Sequence, residues 1–339
     1  TNATNRKDDS LICVPFITSR WIQGFTNRSI DFVDNNTVCY KCGNYICFLN
    51  LETKTQSVFQ SPGRGVGALT ANGNSGVFAF SDQKLSPSIF VYVYPALHLK
   101  NELKGKAQLD YTCLALSDGG PYLACCSSLP DHTITVWNWE NAEPICTQLQ
   151  AGRDLISMVF NPLNWLQLCA LGTASLTLWN IERSGSFHVL KSRYSIDLPA
   201  TDGSFVERMT PMSQTSNQPP AAISELMADT RLTPTAICWT PTSELYVGCA
   251  EGFLLLIDPE SLNISVLIRK VPPYTHLQNV SQESLVHCLQ IKGTKIDITQ
   301  TWHLEGPVTT VKYSPDDETL LLSSNMVSVV QQTQYEHFT

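Results

Sequence analysis

The sequence predicts an all-β chain folded as a WD40-type β-propeller, and three repeated patterns support that fold class. First, Asp131–Asn138 and Thr173–Asn180 each form an apolar strand that runs into Trp-Asn, about 42 residues apart, which is the period and ending of a WD repeat. Second, segments 158–162, 237–241 and 311–315 alternate apolar and polar residues and then break at an X-Pro turn. Third, another apolar strand begins about four residues after each break.

These patterns divide most of the chain into five sound repeats. Each repeat supplies the strands of one propeller blade, and a blade cannot bury both of its faces without neighbours. Finding several blades therefore predicts the architecture of most of the chain. The predicted blades lie near 21–60, 64–104, 109–150, 153–190 and 233–270.

The spacing of the turns also predicts an insertion. Pro162 and Pro241 are separated by one repeat and about 37 residues more. The surplus falls at 191–232, which is polar, Pro-rich and without strand alternation, so we interpret it as a disordered-type insertion. We divide the chain into an N-terminal tail at 1–20 and a partial WD-repeat propeller at 21–339.

The sixth and seventh blades are predicted to be degenerate, so the propeller is incomplete. Segments 285–291 and 296–302 resemble the outer two strands of a blade whose inner two are missing, and 326–332 lacks the Trp-Asp-like ending. A propeller closes its ring to avoid free sheet edges. We therefore expect a ring that is open or strained near 271–339, in the first part of a longer chain or in a product that lacks an exon.

Composition excludes two classes of partner. The chain has 339 residues and a net charge of −8, with no cluster of five Lys or Arg residues, so its surface repels nucleic acid. It contains no run of about 18 apolar residues, so no membrane partner is expected. Charged residues make up only 15% of the chain, which favours a subunit of a larger assembly.

No pattern in the sequence points to an enzyme. The seven histidines lack the i, i+4 spacing of metal ligands, and no Gly-X-Ser-X-Gly elbow is present. Gly63–Gly67 lacks the lysine of a phosphate-binding loop, and we interpret it as the loop that enters the second blade. The prediction is therefore no catalytic residue, no cofactor and no small-molecule substrate.

The twelve cysteines are scattered singly, mostly within apolar strands, and are interpreted as small buried residues. Cys39 and Cys42 resemble half of a zinc knuckle, but a structural site needs a second pair. Cys13 and Cys47 do not form one. We interpret Cys39 and Cys42 as strand and turn residues of the first blade and predict no metal site.

Asp131 lies six residues before Trp137, where WD repeats place an aspartate that ties a turn to a histidine and to the indole. A hydrogen-bonded brace is favoured over a binding hot spot, because buried polar groups normally serve the fold. Trp137, Trp179 and Trp239 recur in register and are interpreted as packing residues. The structural WD-repeat positions are Asp131, Trp137, Asn138, Trp179, Asn180, Trp239, Pro241 and Asp258. No partner-binding residue is assigned from the sequence.

Several runs go beyond a generic WD repeat. Over about 20–325 the chain resembles the N-terminal propeller of the cilia- and flagella-associated protein 43 family. That family has two propellers followed by a long coiled coil, and this chain shows neither the second propeller nor heptads. The runs that carry the resemblance are Arg20–Phe25, Ser127–Asp131 with Trp137–Glu140, Phe160–Trp165, Trp179–Arg183 and Cys238–Cys249.

The resemblance implies a structural role in the ciliary axoneme. The family is part of the tether that links the heads of an inner dynein arm to the doublet microtubule, and normal beating of sperm flagella and motile cilia needs it. The implied protein partners are a sister axonemal WD-repeat protein and inner-arm dynein heavy chains. The acidic chain favours contacts with these proteins over direct contact with the acidic microtubule surface.

Two other functions remain open at this stage. A non-ciliary WD-repeat adaptor, such as a ubiquitin-ligase substrate receptor, needs a docking motif that this sequence does not show. A propeller hydrolase needs a carboxylate or histidine cluster at the central funnel. Only the folded arrangement reveals whether such a cluster exists.

Overall fold

The computed structural model describes residues 17–20, 30–173, 175–185, 187–201, 231–269, 283–292, 295–305, 310–323 and 327–331. The regular structure in these ranges consists of 26 β-strands in seven sheets, six with four strands and one with two. In this part of the chain, no helix has the length and apolarity needed to cross a bilayer.

Each four-stranded sheet is an antiparallel blade, and the first five follow one another along the chain. Blade 1 contains β2 (Ile30–Phe32), β3 (Thr37–Cys42), β4 (Tyr45–Asn50) and β5 (Gln56–Gln60). Blade 2 contains β6 (Val66–Asn72), β7 (Val77–Asp82), β8 (Ser88–Val93) and β9 (His98–Lys104). Blade 3 contains β10 (Tyr111–Leu116), β11 (Tyr122–Ser127), β12 (Ile134–Asn138) and β13 (Glu143–Gln148).

The remaining four sheets are blades 4 to 7. Blade 4 contains β14 (Leu155–Asn161), β15 (Asn164–Gly172), β16 (Leu176–Ser184) and β17 (Phe187–Ser195). Blade 5 contains β18 (Pro234–Trp239), β19 (Leu245–Cys249), β20 (Leu254–Ile257) and β21 (Ile264–Ile268). Blade 6 is the two-stranded sheet of β22 (Glu283–Lys292) and β23 (Lys295–Glu305), and blade 7 contains β24 (Thr310–Tyr313), β25 (Thr319–Ser323), β26 (Val327–Gln331) and β1 (Ile17–Arg20).

Apolar residues are distributed along each blade according to the neighbours of each strand. The two middle strands are covered on both faces by adjacent blades, so they are apolar almost throughout; β7 and β8 are examples. The outer strand meets water along most of its length, as the exposed residues of β5 show. Burial therefore decreases from the middle strands to the outer strand of a blade.

The core is divided into layers that lie between neighbouring blades. Between blades 1 and 2, the rings of Phe48 and Phe78 meet edge to face with centroids 5.3 Å apart. Similar buried clusters join blades 2 and 3, blades 3 and 4, and blades 4 and 5. Leu321 of blade 7 packs with Ile30 and Tyr40 of blade 1. Blades 1 to 5 and blade 7 are therefore each stabilised by at least one neighbouring blade, as a repeat architecture requires.

The innermost strands of six blades surround one cavity of about 680 Å³. Phe160, Trp239 and Tyr313 lie on β14, β18 and β24, which are three of these strands. The repeat of strand and X-Pro turn thus marks equivalent positions around an axis, which confirms the predicted propeller.

The structure differs from the expected ends of the propeller. Residues 17–20, assigned to the N-terminal tail, form β1 and pair antiparallel with β26 from Ile17↔Val330 to Arg20↔Val327. This strand covers the edge that the three other strands of blade 7 would leave unpaired. The opening expected near 271–339 is therefore not found at the joint between blades 7 and 1, whereas blade 6 has two strands among the described residues, as predicted.

The insertion also begins later than expected from the sequence. β17 continues to Ser195, and Ile196, Leu198 and Leu232 are buried in the core between blades 4 and 5. A bridge joins Ala200 to Arg231. Residues 202–230, the rest of the predicted insertion, lie outside the described residues.

Candidate functional site

Asp131 lies in the loop between β11 and β12. Its Oδ1 accepts a hydrogen bond from Gln108 Nε2 at 3.3 Å, across to the loop that enters blade 3. Gln108 thus takes the part expected of a histidine. The other oxygen of Asp131 finds no hydrogen-bond partner among the described residues, so the indole nitrogen of Trp137 does not donate to it. The expected tie between Asp131 and the indole is therefore absent in the described residues, while the contact with Gln108 braces two loops.

The three tryptophans expected in register occupy two kinds of position. Trp137 and Trp179 are buried on the third strands β12 and β16. Trp239 lies on the innermost strand β18, and its Nε1 donates to the Val159 carbonyl of blade 4 at 3.3 Å. The register expectation is wrong for Trp239, which belongs to the pattern of strand and X-Pro turn. Pro241 is in the turn that follows it.

The polar residue at the end of the third strand caps the turn to the fourth strand. Asn138 Oδ1 accepts from the backbone N–H groups of Glu140 and Asn141 at 3.1 and 3.2 Å. Asp258 accepts from the Glu260 N–H at 2.9 Å and the Ser261 hydroxyl at 2.6 Å. The Ser261 hydroxyl, which bonds the ionised form, lowers the pKa of Asp258.

Asn180 departs from this pattern. Its strand β16 continues for four more residues to Ser184, so no turn follows Asn180. The Oδ1 of Asn180 is buried and meets no hydrogen-bond donor among the described residues. Asn180 lies opposite Gln167 in the β15–β16 ladder.

The cysteines of blade 1 do not converge on one point. Cys39 belongs to the cluster shared with blade 2, whereas Cys42 and Cys47 pack on the cluster shared with blade 7. A spacing of three within a strand places two side chains on opposite faces. Within the described part of the chain no cluster of metal-ligand residues is present, no disulfide joins the cysteines, and eight of them are buried.

The glycine-rich segment lies where the sequence places it, at the entry to blade 2. Arg64 N–H donates to Asp82 Oδ1 at 3.0 Å, and Lys84 Nζ lies 2.8 Å from Asp82 Oδ2. A Cβ added to Gly63 would come closer than 3.0 Å to the Asp82 carboxylate. The glycine therefore allows the loop backbone to lie against a buried carboxylate, and this contact serves the fold.

The central cavity contains an ion pair that the sequence analysis missed. Lys312 Nζ lies 3.3 Å from Asp31 Oδ1, and Asp31 Oδ2 accepts from the Ala71 N–H at 3.2 Å. The Asp31 carboxylate raises the pKa of Lys312, so the amine stays protonated. Burial, followed by repulsion from Asp31, raises the pKa of Asp118. The sequence does contain a sign of this pair, because each of the two strands has one charged residue between apolar or aromatic neighbours. These residues are Asp31 in Ile30–Phe32 and Lys312 in Val311–Tyr313.

These cavity groups hold the innermost strands together. Asp31 connects blade 7 through Lys312 and blade 2 through Ala71. Asn72 Nδ2 of blade 2 then donates to the Ser117 carbonyl of blade 3 at 2.9 Å. Each of these contacts crosses from one blade to the next, so the carboxylates here are interpreted as parts of the ring.

The two ends of the propeller differ in charge. The AB/CD face is defined by the turns after the first and third strands of each blade, and the BC/DA face by the other loops. The described BC/DA loops carry five carboxylates and six Lys or Arg residues. The described AB/CD turns carry one lysine, Lys54, and ten carboxylates: Asp34, Glu52, Asp118, Glu140, Glu244, Asp258, Glu260, Asp316, Asp317 and Glu318.

A family model for the WD domain, G-beta repeat, matches residues 99–138. The match starts in β9, the outer strand of blade 2, and ends with β12, the third strand of blade 3. A sequence repeat is thus offset from a structural blade. A chain in the crystal structure of the mitotic checkpoint complex has a TM-score of 0.63 and 12% identity, covering 98% of this chain and 100% of that chain. That likeness shows the propeller fold alone.

Curated relatives extend over most of the chain. Cilia- and flagella-associated protein 43 of Mus musculus is 36% identical over 91% of this chain and 21% of that protein. The Xenopus laevis protein of the same name is 34% identical over 91% of this chain and 22% of its own length. Cilia- and flagella-associated protein 44 of Mus musculus is 31% identical over 50% of this chain and 9% of that protein.

This chain spans about a fifth of the length of the first two relatives. Their names associate them with cilia and flagella, in agreement with the localisation predicted from the sequence. The propeller fold and these names fit a scaffold family that works through protein–protein contacts. The chain is a WD-repeat β-propeller and, over 91% of its length, a relative of the cilia- and flagella-associated protein 43 proteins.

Proposed function

We propose that the chain is a non-catalytic scaffold of the motile-cilium and sperm-flagellum axoneme. In this role it is part of the tether that connects the heads of an inner dynein arm to the doublet microtubule. The observation that carries the proposal is the identity of 34–36% over 91% of the chain with proteins named for cilia and flagella. The ring supports it, because blades held together by buried clusters present many loops in fixed positions.

The partners in this proposal are a sister axonemal WD-repeat protein and inner-arm dynein heavy chains. The AB/CD face supports contact with such proteins over contact with the acidic microtubule surface, because its turns are dominated by carboxylates. The Asp31–Lys312 pair and Asp118 support a role without catalysis, because their contacts join neighbouring blades.

Cross-linking of intact axonemes tests the proposal. The full-length protein is tagged at its own locus in ciliated cells, axonemes are isolated, and cross-linked peptides are mapped by mass spectrometry. We expect links from this propeller to an inner-arm dynein heavy chain and to a second WD-repeat protein. High salt should release the tagged protein together with these partners. Recovery of the protein only in the cytosolic fraction would contradict the proposal.

A further inference from the structure

Two cysteines of blade 3 lie opposite each other on neighbouring strands. Cys113 on the innermost strand β10 and Cys126 on β11 are direct partners in the antiparallel ladder. Direct partners in such a ladder have Cα atoms about 4.5–5.5 Å apart, and a disulfide joins residues whose Cα atoms are about 4.4–6.8 Å apart. The backbone of blade 3 therefore holds this pair at a separation that a disulfide bridges without a change of fold.

The two side chains also lie on the same face of the blade. Cys113 and Cys126 both belong to the buried cluster between blades 3 and 4. Cys125, the residue before Cys126, belongs to the cluster on the other face, between blades 2 and 3. A hydrogen bond joins the thiols of Cys113 and Cys126. The register, the shared face and the hydrogen bond all place the two sulfur atoms next to each other.

In the strand ladders that the structure describes, no other two cysteines are direct partners. Cys146 of the same cluster is on β13, two strands away from Cys126. Cys42 and Cys47 of blade 1 are diagonal neighbours, since Cys42 lies opposite Tyr45. Diagonal neighbours are about 7–8 Å apart, which is too far for a disulfide in an undistorted sheet.

The central cavity gives small solutes access to this pair. Cys113 is one of its lining residues, and Lys312 in the same cavity has 42% of its side chain exposed to solvent. Cys113 is 9% exposed and Cys126 is fully buried, so a reactant has to be small. The hydrogen bond from Cys113 lowers the pKa of Cys126. A lower pKa favours the thiolate, which is the form that reacts with oxidants.

We propose that Cys113 and Cys126 are a redox modification site, in which a hydroperoxide converts the two thiols into a reversible disulfide. The thiolate of one cysteine attacks hydrogen peroxide, the O–O bond breaks, and the released hydroxide takes a proton to become water. The thiol of the other cysteine then attacks the sulfenic sulfur. The S–S bond forms, the S–O bond breaks, and the displaced hydroxide takes the thiol proton as a second water. Two thiols and one peroxide thus give one disulfide and two waters.

The disulfide would join the innermost strand of blade 3 covalently to the strand beside it. In a reducing compartment such bonds are transient and act in redox sensing. The modification site goes beyond the proposed scaffold role and does not rest on it, so axonemal cross-linking and the oxidation experiment succeed or fail separately.

Peptide mapping of the folded 339-residue chain tests the proposal. The protein is treated with hydrogen peroxide under native conditions, its remaining thiols are blocked with N-ethylmaleimide in denaturant, and it is digested with endoproteinase Asp-N. Cys113 and Cys126 then lie on separate peptides, because the protease cuts before Asp110, Asp118 and Asp131. We expect the two peptides, 110–117 and 118–130, to be recovered as one disulfide-linked species that dithiothreitol separates.

Single substitutions assign the link to its two residues. All proteins carry Cys238→Ser, which removes an exposed thiol. We expect Cys113→Ala and Cys126→Ala each to abolish the linked species. Cys125→Ala is the matched control, because Cys125 shares a peptide with Cys126 but is on the opposite face of the blade, so the link should persist.

The oxidised parent decides the outcome by itself, so a variant that does not fold leaves the test intact. Absence of the linked species from the folded, oxidised parent would overturn the proposal. A link that survives Cys126→Ala would overturn it as well, because the bond would then involve Cys125. Sulfinic acid at Cys113 or Cys126 in place of the link would have the same meaning, since it shows that the second sulfur did not reach the sulfenic intermediate.

Discussion

Lys312 on β24 forms an ion pair with Asp31 on β2, with Nζ and Oδ1 3.3 Å apart. The pair joins the last blade to the first. The Asp31 carboxylate is 20% exposed and the Lys312 side chain 42% exposed. Asp31 also accepts from the Ala71 N–H of blade 2. The Asp31 carboxylate of blade 1 therefore contacts both neighbouring blades, 7 and 2.

Replacement of Lys312 tests the importance of this joint. Lys312→Met keeps the length of the side chain but leaves Asp31 beside Asp118 without the cation. We expect a loss of about 1–2 kcal/mol in the free energy of unfolding, measured in urea. Lys104→Met is the control, because Lys104 is 76% exposed and lies 3.6 Å from Glu102. A loss no larger than in the control would show that the pair is dispensable.

The pH dependence of stability tests the environment of Asp118. Burial raises the pKa of Asp118 above its ordinary value of 3.8, so the folded state binds the proton more tightly than the unfolded state. Its contribution to stability is present below pH 3.8 and is lost as the pH rises through the folded pKa. Asp118→Asn should therefore be more stable than the parent near neutral pH, with a difference that shrinks towards pH 3.8.

Asp258→Asn provides a comparison of opposite sign for the same pH series. The hydrogen bond from Ser261 lowers the pKa of Asp258 in the folded state. The contribution of Asp258 to the free energy of unfolding is therefore present above its pKa in the unfolded state and is lost as the pH falls through its pKa in the folded state. This variant should be less stable than the parent at neutral pH. Thermal unfolding followed by circular dichroism measures both variants, and equal behaviour of the two would contradict the assignment.

Substitution of Gly63 tests the contact between the glycine-rich loop and Asp82. In Gly63→Ala the new methyl group meets the buried Asp82 carboxylate at less than 3.0 Å, so loop or carboxylate must move. We expect destabilisation of about 1–3 kcal/mol in urea unfolding. Gly119→Ala is the matched control, because an added Cβ meets no heavy atom within 4 Å there. Its stability should remain within about 0.5 kcal/mol of the parent.

Trp239→Phe tests the hydrogen bond between blades 4 and 5. The substitution keeps an aromatic ring on β18 but removes the donor to the Val159 carbonyl. The expected loss is about 0.5–1.5 kcal/mol in urea unfolding. Trp165→Phe is the control, because no hydrogen bond from its indole supports a blade joint among the described residues. Equal losses in both variants would assign the effect to ring size.

Proline substitution tests the closing strand. In β1, Thr18 and Ser19 lie opposite Val329 and Ser328. Thr18→Pro/Ser19→Pro removes two adjacent N–H groups, at least one of which faces β26 in an antiparallel ladder. The amides of β26 should then exchange faster with deuterium than in Thr18→Ala/Ser19→Ala. Unchanged exchange would mean that β1 contributes nothing to ring closure.

The repeated strands and turns could be predicted because their signals are local. These signals are the Trp-Asn endings, the alternation and the X-Pro turns. The three segments with an X-Pro turn lie on β14, β18 and β24, which are equivalent strands of their blades. The glycine-rich segment was also placed correctly, because a loop follows from its residues alone.

Contacts between blades could not be predicted from the sequence. Gln108 replaces the expected histidine beside Asp131. The residues next to Gln108 and Asp131 in the sequence do not predict this hydrogen bond, because the two are 23 positions apart. The sequence analysis grouped Trp239 with Trp137 and Trp179 because the residue type alone does not show which strand of a blade carries it. In the structure Trp239 lies on an innermost strand. Gln167 of blade 4 donates to Glu260 of blade 5 at 2.9 Å although the two residues are 93 positions apart, and only the stacking of the two blades brings them together.

The amino-acid sequence by itself determined the all-β class, the repeat period and the acidic character of the chain, because each depends on residue type and short-range spacing. Only the tertiary structure decided how the ring closes and which polar residues meet. β1 is more than 300 residues from β26, and Lys312 is 281 residues from Asp31. Pairings at such separations depend on the geometry of stacked blades, which sets the position of each terminal strand and each turn in space.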